Sequence, residues 1–199
     1  MPWTAAIVAG GAASRLNGRD KSQLRVGGRS ILERQLAALD SLADRIVIVA
    51  NDAARFRAAG VPVVEDLVPG TAALGGIYTA LATATTDRVL VIACDMPFLT
   101  GRFLRHVVAC ADEVDLAIPR SADGYQPLCA CYARSCLEPV RRRVETGALR
   151  VQDLVSEVRT REIAPDELAP FDPNGVLLFN VNTPDDYERA RHFDPITQP

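Results

Sequence analysis

The chain has 199 residues, with 22 Lys plus Arg against 25 Asp plus Glu, a net charge of −3, and 48% hydrophobic residues. That size predicts one domain whose core needs no disulfide or metal staple. The slightly acidic balance excludes a general nucleic-acid binder, which carries a basic stripe, but not a pocket for a small anion. No apolar run approaches the ~20 residues of a membrane span. Met1-Pro2-Trp3-Thr4 has no basic region, so no signal peptide is expected. The odd count of five cysteines then predicts reduced thiols in a cytoplasm.

In chain order, residues 4–9 read as a buried strand ending at Gly10-Gly11. Residues 31–42 place apolar side chains at 32, 36, 39 and 42, one face of a helix. A second buried strand follows at 45–50, then a short helix at 52–59 capped by Asn51 or Asp52. Residues 61–64 form a third strand, 76–84 a helix, and 88–94 the most apolar strand of the chain. The second half is more mixed: helices at 103–111 and 135–144, strands at 116–118 and 128–133, a late strand at 176–179, and a last helix opened by Thr183-Pro184. Continuously apolar strands interleaved with helices predict an α/β fold with a mostly parallel sheet covered on both faces. A single domain is expected over 1–192, with a flexible tail at 193–199.

Ligands of open parallel sheets bind beyond the carboxyl ends of the strands. Three segments satisfy that condition. The first runs from Ala9-Gly10-Gly11 through Arg15 and Arg19 to Lys21. Its glycines let the backbone approach a phosphate, and its cations supply charge-assisted donors. It matches neither a P-loop nor a dinucleotide fingerprint. Two glycines alone would be an ordinary turn; the Arg and Lys tip the reading to phosphate binding. The second is Cys94-Asp95-Met96-Pro97, whose carboxylate is either a hard-cation ligand or a turn cap. The third is Asn180-Val181-Asn182-Thr183-Pro184-Asp185-Asp186, where alternation puts both Asn side chains on one side. There Thr183 and Asp186 also make a capping box with Asp in place of Glu.

Taken together, Val8-Ala9-Gly10-Gly11-x3-Arg15-Leu16-x-Gly18-x-Asp20-Lys21, Cys94-Asp95-Met96-Pro97 and Asn180-Val181-Asn182-Thr183-Pro184 resemble molybdenum cofactor guanylyltransferase, over roughly residues 4–192. The resemblance implies a Rossmann-like three-layer nucleotidyltransferase that moves GMP from GTP onto molybdenum-molybdopterin and releases pyrophosphate. It implies that Val8, Ala9, Gly10 and Gly11 meet GTP, Lys21 its phosphates, and Asn51 and Asp66 the nucleotide. It places Mg2+ on Asp95, and Asn180 and Asn182 on the metal and pterin side, with Gln126-Pro127-Leu128 in the second-substrate region. The first half would then grip GTP and the second half the pterin. Arg15, Lys21 and Asp95 would carry the transfer. Cofactor-synthesis proteins and recipient molybdoenzymes or their chaperones are the implied protein partners; nucleic acid and membrane are not.

Two departures from the family pattern stand out. Asn17 replaces a Gly, and the usual Gly-Pro-Leu-x-Gly loop reads Ala72-Ala73-Leu74-Gly75-Gly76. The rivals are the cytidylyltransferase for the same cofactor, which commonly reads Ala-Ala-Gly at positions 9–11, and a sugar-phosphate nucleotidyltransferase, which usually has Pro before the loop lysine where Asp20 stands. A non-catalytic nucleotide-binding module would not need Arg15, Lys21 and Asp95 together. Cys129-x-Cys131-x4-Cys136 fits no standard zinc spacing and reads as buried thiols. His106 and His192 read as packing or surface residues, and Arg141-Arg142-Arg143 as a solvated helix end favoured by the dipole.

Overall fold

The computed structural model describes residues 1–9, 15–16 and 19–193, and only the backbone of 15, 16, 19 and 20. The strands are β1 (Trp3–Val8), β2 (Arg15–Leu16), β3 (Arg19–Asp20), β4 (Arg25–Val26), β5 (Arg29–Ser30), β6 (Arg45–Val49), β7 (Val63–Val64), β8 (Arg88–Ala93), β9 (Leu116–Ser121), β10 (Gly124–Tyr125), β11 (Cys129–Ala133) and β12 (Thr160–Ile163). The helices are α1 (Ile31–Leu39), α2 (Ala72–Thr83), α3 (Gly101–Ala109), α4 (Leu137–Glu145), α5 (Pro165–Leu168) and α6 (Pro184–His192).

One eight-stranded sheet organises the chain, in the order β10-β9-β11-β8-β1-β6-β7, with β12 beside β9. The pairs β8-β1, β1-β6, β6-β7 and β9-β12 are parallel; β11 runs against both β8 and β9, as does β10 against β9. The parallel half matches the mostly parallel sheet predicted above. Side chains of β1 alternate between two cores. Trp3, Ala5 and Ile7 meet Leu32 and Leu39 of α1 and Phe103, Leu104 and Val107 of α3. Ala6 and Val8 meet Leu74, Ile77 and Leu81 of α2 and Val140 of α4. The result is three layers, helix on sheet on helix. A smaller apolar cluster joins Leu24, Val26 and Ile31 to Phe98, Val181 and Ala190, tying the β4–β5 hairpin to α6.

Two expectations change. Residues 176–179 are not a strand. The Asp172 carboxylate accepts from the amides of Val176 and Leu177 at 2.7 and 3.0 Å, and Asn180 Nδ2 donates to the Leu178 carbonyl at 2.9 Å. Side chains have captured the backbone groups that a sheet would have used. The tail boundary also shifts: Phe193 packs its ring 6.3 Å from Phe98 and 6.1 Å from Phe179. Residues 194–199 lie outside the described residues. Among the described residues, no helix is long and apolar enough to cross a membrane.

Candidate functional site

The carboxyl edge of the parallel strands builds the site. Three bonds carry the ladder one residue past the strand ends: Cys94 N to Val8 O at 3.0 Å, Ala9 N to Val49 O at 2.8 Å, and Ala50 N to Val64 O at 3.0 Å. Side by side along that edge stand Asp95, Ala9, Asn51 and Asp66, following β8, β1, β6 and β7. Three strand spacings separate the ends, about 14 Å. Gly76 lets α2 close on this edge, because a Cβ there would lie 2.5 Å from Val8 Cγ1.

Lys21 lies at the centre. Its side chain is buried, and its ammonium donates to Asn182 Oδ1 at 2.8 Å and pairs with Asp95 Oδ2 at 3.4 Å. Three segments that read separately in the sequence thus meet at one point. Burial raises the Asp95 carboxyl above its ordinary value, and the nearby Lys21 ammonium opposes that without reversing it. Asp95 Oδ1 is buried with no hydrogen-bond partner among the described residues. The turn that carries Asp95 is held from outside: Val181 N donates to the Asp95 carbonyl at 2.9 Å, and Arg34 Nε to the Pro97 carbonyl at 2.8 Å.

The other expected residues are less uniform. Asn182 reaches the centre; Asn180 turns its amide back to Leu178, though both line one cleft of about 740 Å³. That cleft also takes in Gln126, Ser121 and Arg189, and its size suits a small-molecule ligand. Gln126 is anchored by its Nε2 on Ser121 Oγ at 3.0 Å. Asn51 is exposed beside β6. Asp66 spends Oδ1 on Thr79 Oγ1 at 2.8 Å and Val68 N at 3.2 Å, which fastens its loop to α2. Gly10, Gly11, Asn17 and Gly18 lie outside the described residues, as does the Arg15 side chain. The Thr183–Asp186 capping box forms as expected.

The cysteines, His106 and the arginine cluster follow the packing and surface roles expected of them only in part. All five cysteines are free, and burial pushes the Cys129 and Cys131 thiols up to about 12. No group of His, Cys, Asp or Glu able to hold a metal ion by itself occurs among the described residues. His106 packs 4.8 Å from Phe171. Arg143, however, is not solvated: it is buried against Asp153 at 3.0 Å, Glu157 at 2.5 Å and the Arg150 carbonyl at 2.9 Å. Gln35 went unnoticed in the sequence, although a polar residue beside the apolar positions of α1 was the available signal. It is buried, with its Nε2 donating to the carbonyls of Ala93 and Met96.

Comparison with known proteins agrees with this architecture. Residues 5–161 match the MobA-like NTP transferase domain. A molybdenum cofactor guanylyltransferase of Desulfosudis oleivorans is 31% identical over 188 residues, 94% of this chain and 93% of the relative. The crystal structure of molybdopterin-guanine dinucleotide biosynthesis protein A from Archaeoglobus fulgidus superposes with a TM-score of 0.81 at 26% identity, covering 95% of this chain and 97% of that one. The manganese complex of Rv0371c from Mycobacterium tuberculosis shares the fold, with a TM-score of 0.72 at 22% identity over 97% of this chain and 100% of that one. The chain belongs to the MobA-like NTP transferase family, among the molybdenum cofactor guanylyltransferases.

Proposed function

We propose that this protein transfers GMP from GTP to the terminal phosphate of molybdenum-molybdopterin, yielding molybdopterin guanine dinucleotide and pyrophosphate. The observation that carries this reading is the meeting of Lys21, Asp95 and Asn182 at the carboxyl edge of the sheet, with Asn182 also lining the 740 Å³ cleft. GTP lies along the edge, against Val8, Ala9, Gly10, Gly11, Asn51 and Asp66. The pterin takes the cleft lined by Gln126 and Asn180, so one crevice within a single domain serves both substrates.

An acceptor phosphate oxygen attacks the α-phosphorus of GTP; a new P–O bond forms as the bond to the β-phosphate oxygen breaks, and pyrophosphate leaves. The acceptor oxygen is already ionised near neutral pH, so no side chain need remove a proton. The obstacle is anion against anion, and positioning with charge neutralisation overcomes it. Lys21 is a cation held at the junction of the two subsites, and Arg15 adds a second on the phosphate loop. The donor set at the junction fits a divalent cation: Asp95 offers a carboxylate oxygen with no described partner, and Asn182 an amide oxygen. Mg2+ is the ion proposed, supplying charge neutralisation at phosphate oxygens when bound. Buried, inert thiols suit a reducing cytoplasm. Product hand-over to recipient molybdoenzymes or their chaperones, and contact with cofactor-synthesis proteins, complete the reading.

The test is incubation with molybdopterin, Mg2+ and either GTP or CTP, followed by analysis of the nucleotide attached to the pterin. Turnover is expected with GTP; turnover with CTP alone assigns the protein to cytidylyl transfer instead. Lys21→Ala and Asp95→Ala should each lower kcat about 10²–10³-fold, the usual cost of one lost transition-state contact. Full activity in either folded variant removes that residue from the mechanism.

A further inference from the structure

We infer that Gln35 is a positioning residue for Asp95, setting where the carboxylate stands relative to Asn182. This rests on the reading of Asp95 as the ion's ligand. The buried residues of α1 are Ile31, Leu32, Gln35 and Leu39. Gln35 is 1% exposed, inside a layer that is otherwise apolar. Its Nε2 donates to the Ala93 carbonyl at 2.6 Å and the Met96 carbonyl at 3.1 Å, the residues two before and one after Asp95. Facing two carbonyl oxygens, only the NH2 end of the amide can point this way. Gln35 Oε1 is left buried without a partner among the described residues. A methionine would fill the same slot without that cost. What glutamine adds is a pair of donors straddling Asp95.

The geometry explains why the turn needs such a strut. Beyond the Cys94 amide, which still bonds the Val8 carbonyl, the chain has left the sheet. Its path is then set by contacts from three residues on two sides. Gln35 holds the carbonyls of Ala93 and Met96, Arg34 holds that of Pro97, and Val181 N holds that of Asp95 itself. The first two belong to α1, which the Ser30–Glu33 capping box starts at a defined residue. Without the Gln35 donors, the turn loses the two contacts that fix it on either side of Asp95 and keeps the Arg34 and Val181 contacts, which hold Pro97 and the Asp95 carbonyl. The Asp95 carboxylate then loses its alignment with Asn182.

The test measures metal binding directly, by the electron paramagnetic resonance of Mn2+ bound with GTP and no pterin acceptor. Asp95→Asn is the reference: if it binds Mn2+ as the unaltered protein does, the ion-ligand reading fails, whatever Gln35 does. With that reference lost, Gln35→Met and Gln35→Glu are each expected to weaken Mn2+ at least tenfold, while GTP affinity measured without metal changes less than twofold. Retained Mn2+ affinity in either variant overturns the inference, even if its Tm falls, because a purely structural role predicts that result. Should neither variant fold, the unaltered protein decides. The side-chain amide signals of Gln35 must shift when Mg2+ joins the GTP complex; unmoved signals overturn the inference.

Discussion

Replacing Gly76 with alanine is a test in which structure and helix propensity predict opposite signs. In an ordinary helix interior, Gly→Ala stabilises by about 0.5–1 kcal/mol, since glycine loses more backbone freedom on folding. Gly76 sits within α2, so propensity alone predicts a gain. The packing predicts a loss. The new Cβ would lie 2.5 Å from Val8 Cγ1, 3.1 Å from Cγ2 and 3.4 Å from Cβ. Val8 is buried at the end of β1, and its β-branched side chain is stiff at χ1, so it yields poorly to the new methyl. Overpacking of this kind costs about 1–3 kcal/mol. The balance is a net loss of about 1–2 kcal/mol, a fall in Tm of roughly 2–8 °C for a domain this size. Combining it with Val8→Ala opens the space that the new methyl needs. The double variant should be more stable than the sum of the single effects allows, by about 1–3 kcal/mol. Differential scanning calorimetry of the four proteins measures both quantities. A higher Tm for Gly76→Ala, or strict additivity in the cycle, would refute the claim that Gly76 exists to let α2 approach β1.

Three further outcomes are expected. Ala72 holds φ at 53°, in the left-handed region, and is exposed. Ala72→Gly, the residue usual in the family at this loop, should gain about 0.5–1 kcal/mol by relieving that strain; an unchanged or lower Tm contradicts it. Arg143→Met removes a buried guanidinium from Asp153, Glu157 and the Arg150 carbonyl. Both acids are about half exposed and can rehydrate, so the loss should be near 2 kcal/mol, read as a lower urea midpoint. Asp115 accepts from Arg159 and Ser135, which hold its carboxyl down from 3.8 to about 2. Its folded pKa is the lower one, so this stabilisation is full above pH 3.8 and disappears as pH falls toward about 2. Asp115→Asn should flatten the dependence of urea stability on pH across that window, and an unaltered slope would show that Asp115 is not its source.

Legibility followed burial. Strands β1, β6 and β8 are readable because they are covered on both faces, so their apolar runs are nearly unbroken. Strand β12 reads Thr-Arg-Glu-Ile, polar at its centre, and carries no such signal; only its parallel pairing with β9 makes it a strand. Residues 176–179 carry the apolar signal without the structure, since Asp172, several residues away, had taken their amides. The candidate site divides in the same way. Asp95 was visible because it follows the most apolar strand in the sequence. The contact of Lys21 with Asn182 was not, because nothing local relates residues so far apart. Gln35 showed only as a polar residue among the apolar positions of α1; its partners are backbone carbonyls, which no side-chain pattern identifies.

The Lys21–Asn182 bond spans 161 positions of the chain. That span bears on how the protein is made. A growing chain folds from its N-terminal side as it leaves the ribosome, and β1, β6 and β8 can pair long before residue 182 exists. During that interval Lys21 and Asp95 lack the amide that completes their arrangement, and Phe98 lacks Phe179 above it. The carboxyl edge of the parallel strands can therefore be assembled early, while its contact with Asn182 closes only when almost the whole chain has emerged. A nascent chain arrested before residue 180 should bind nucleotide without acquiring the Lys21–Asn182 contact.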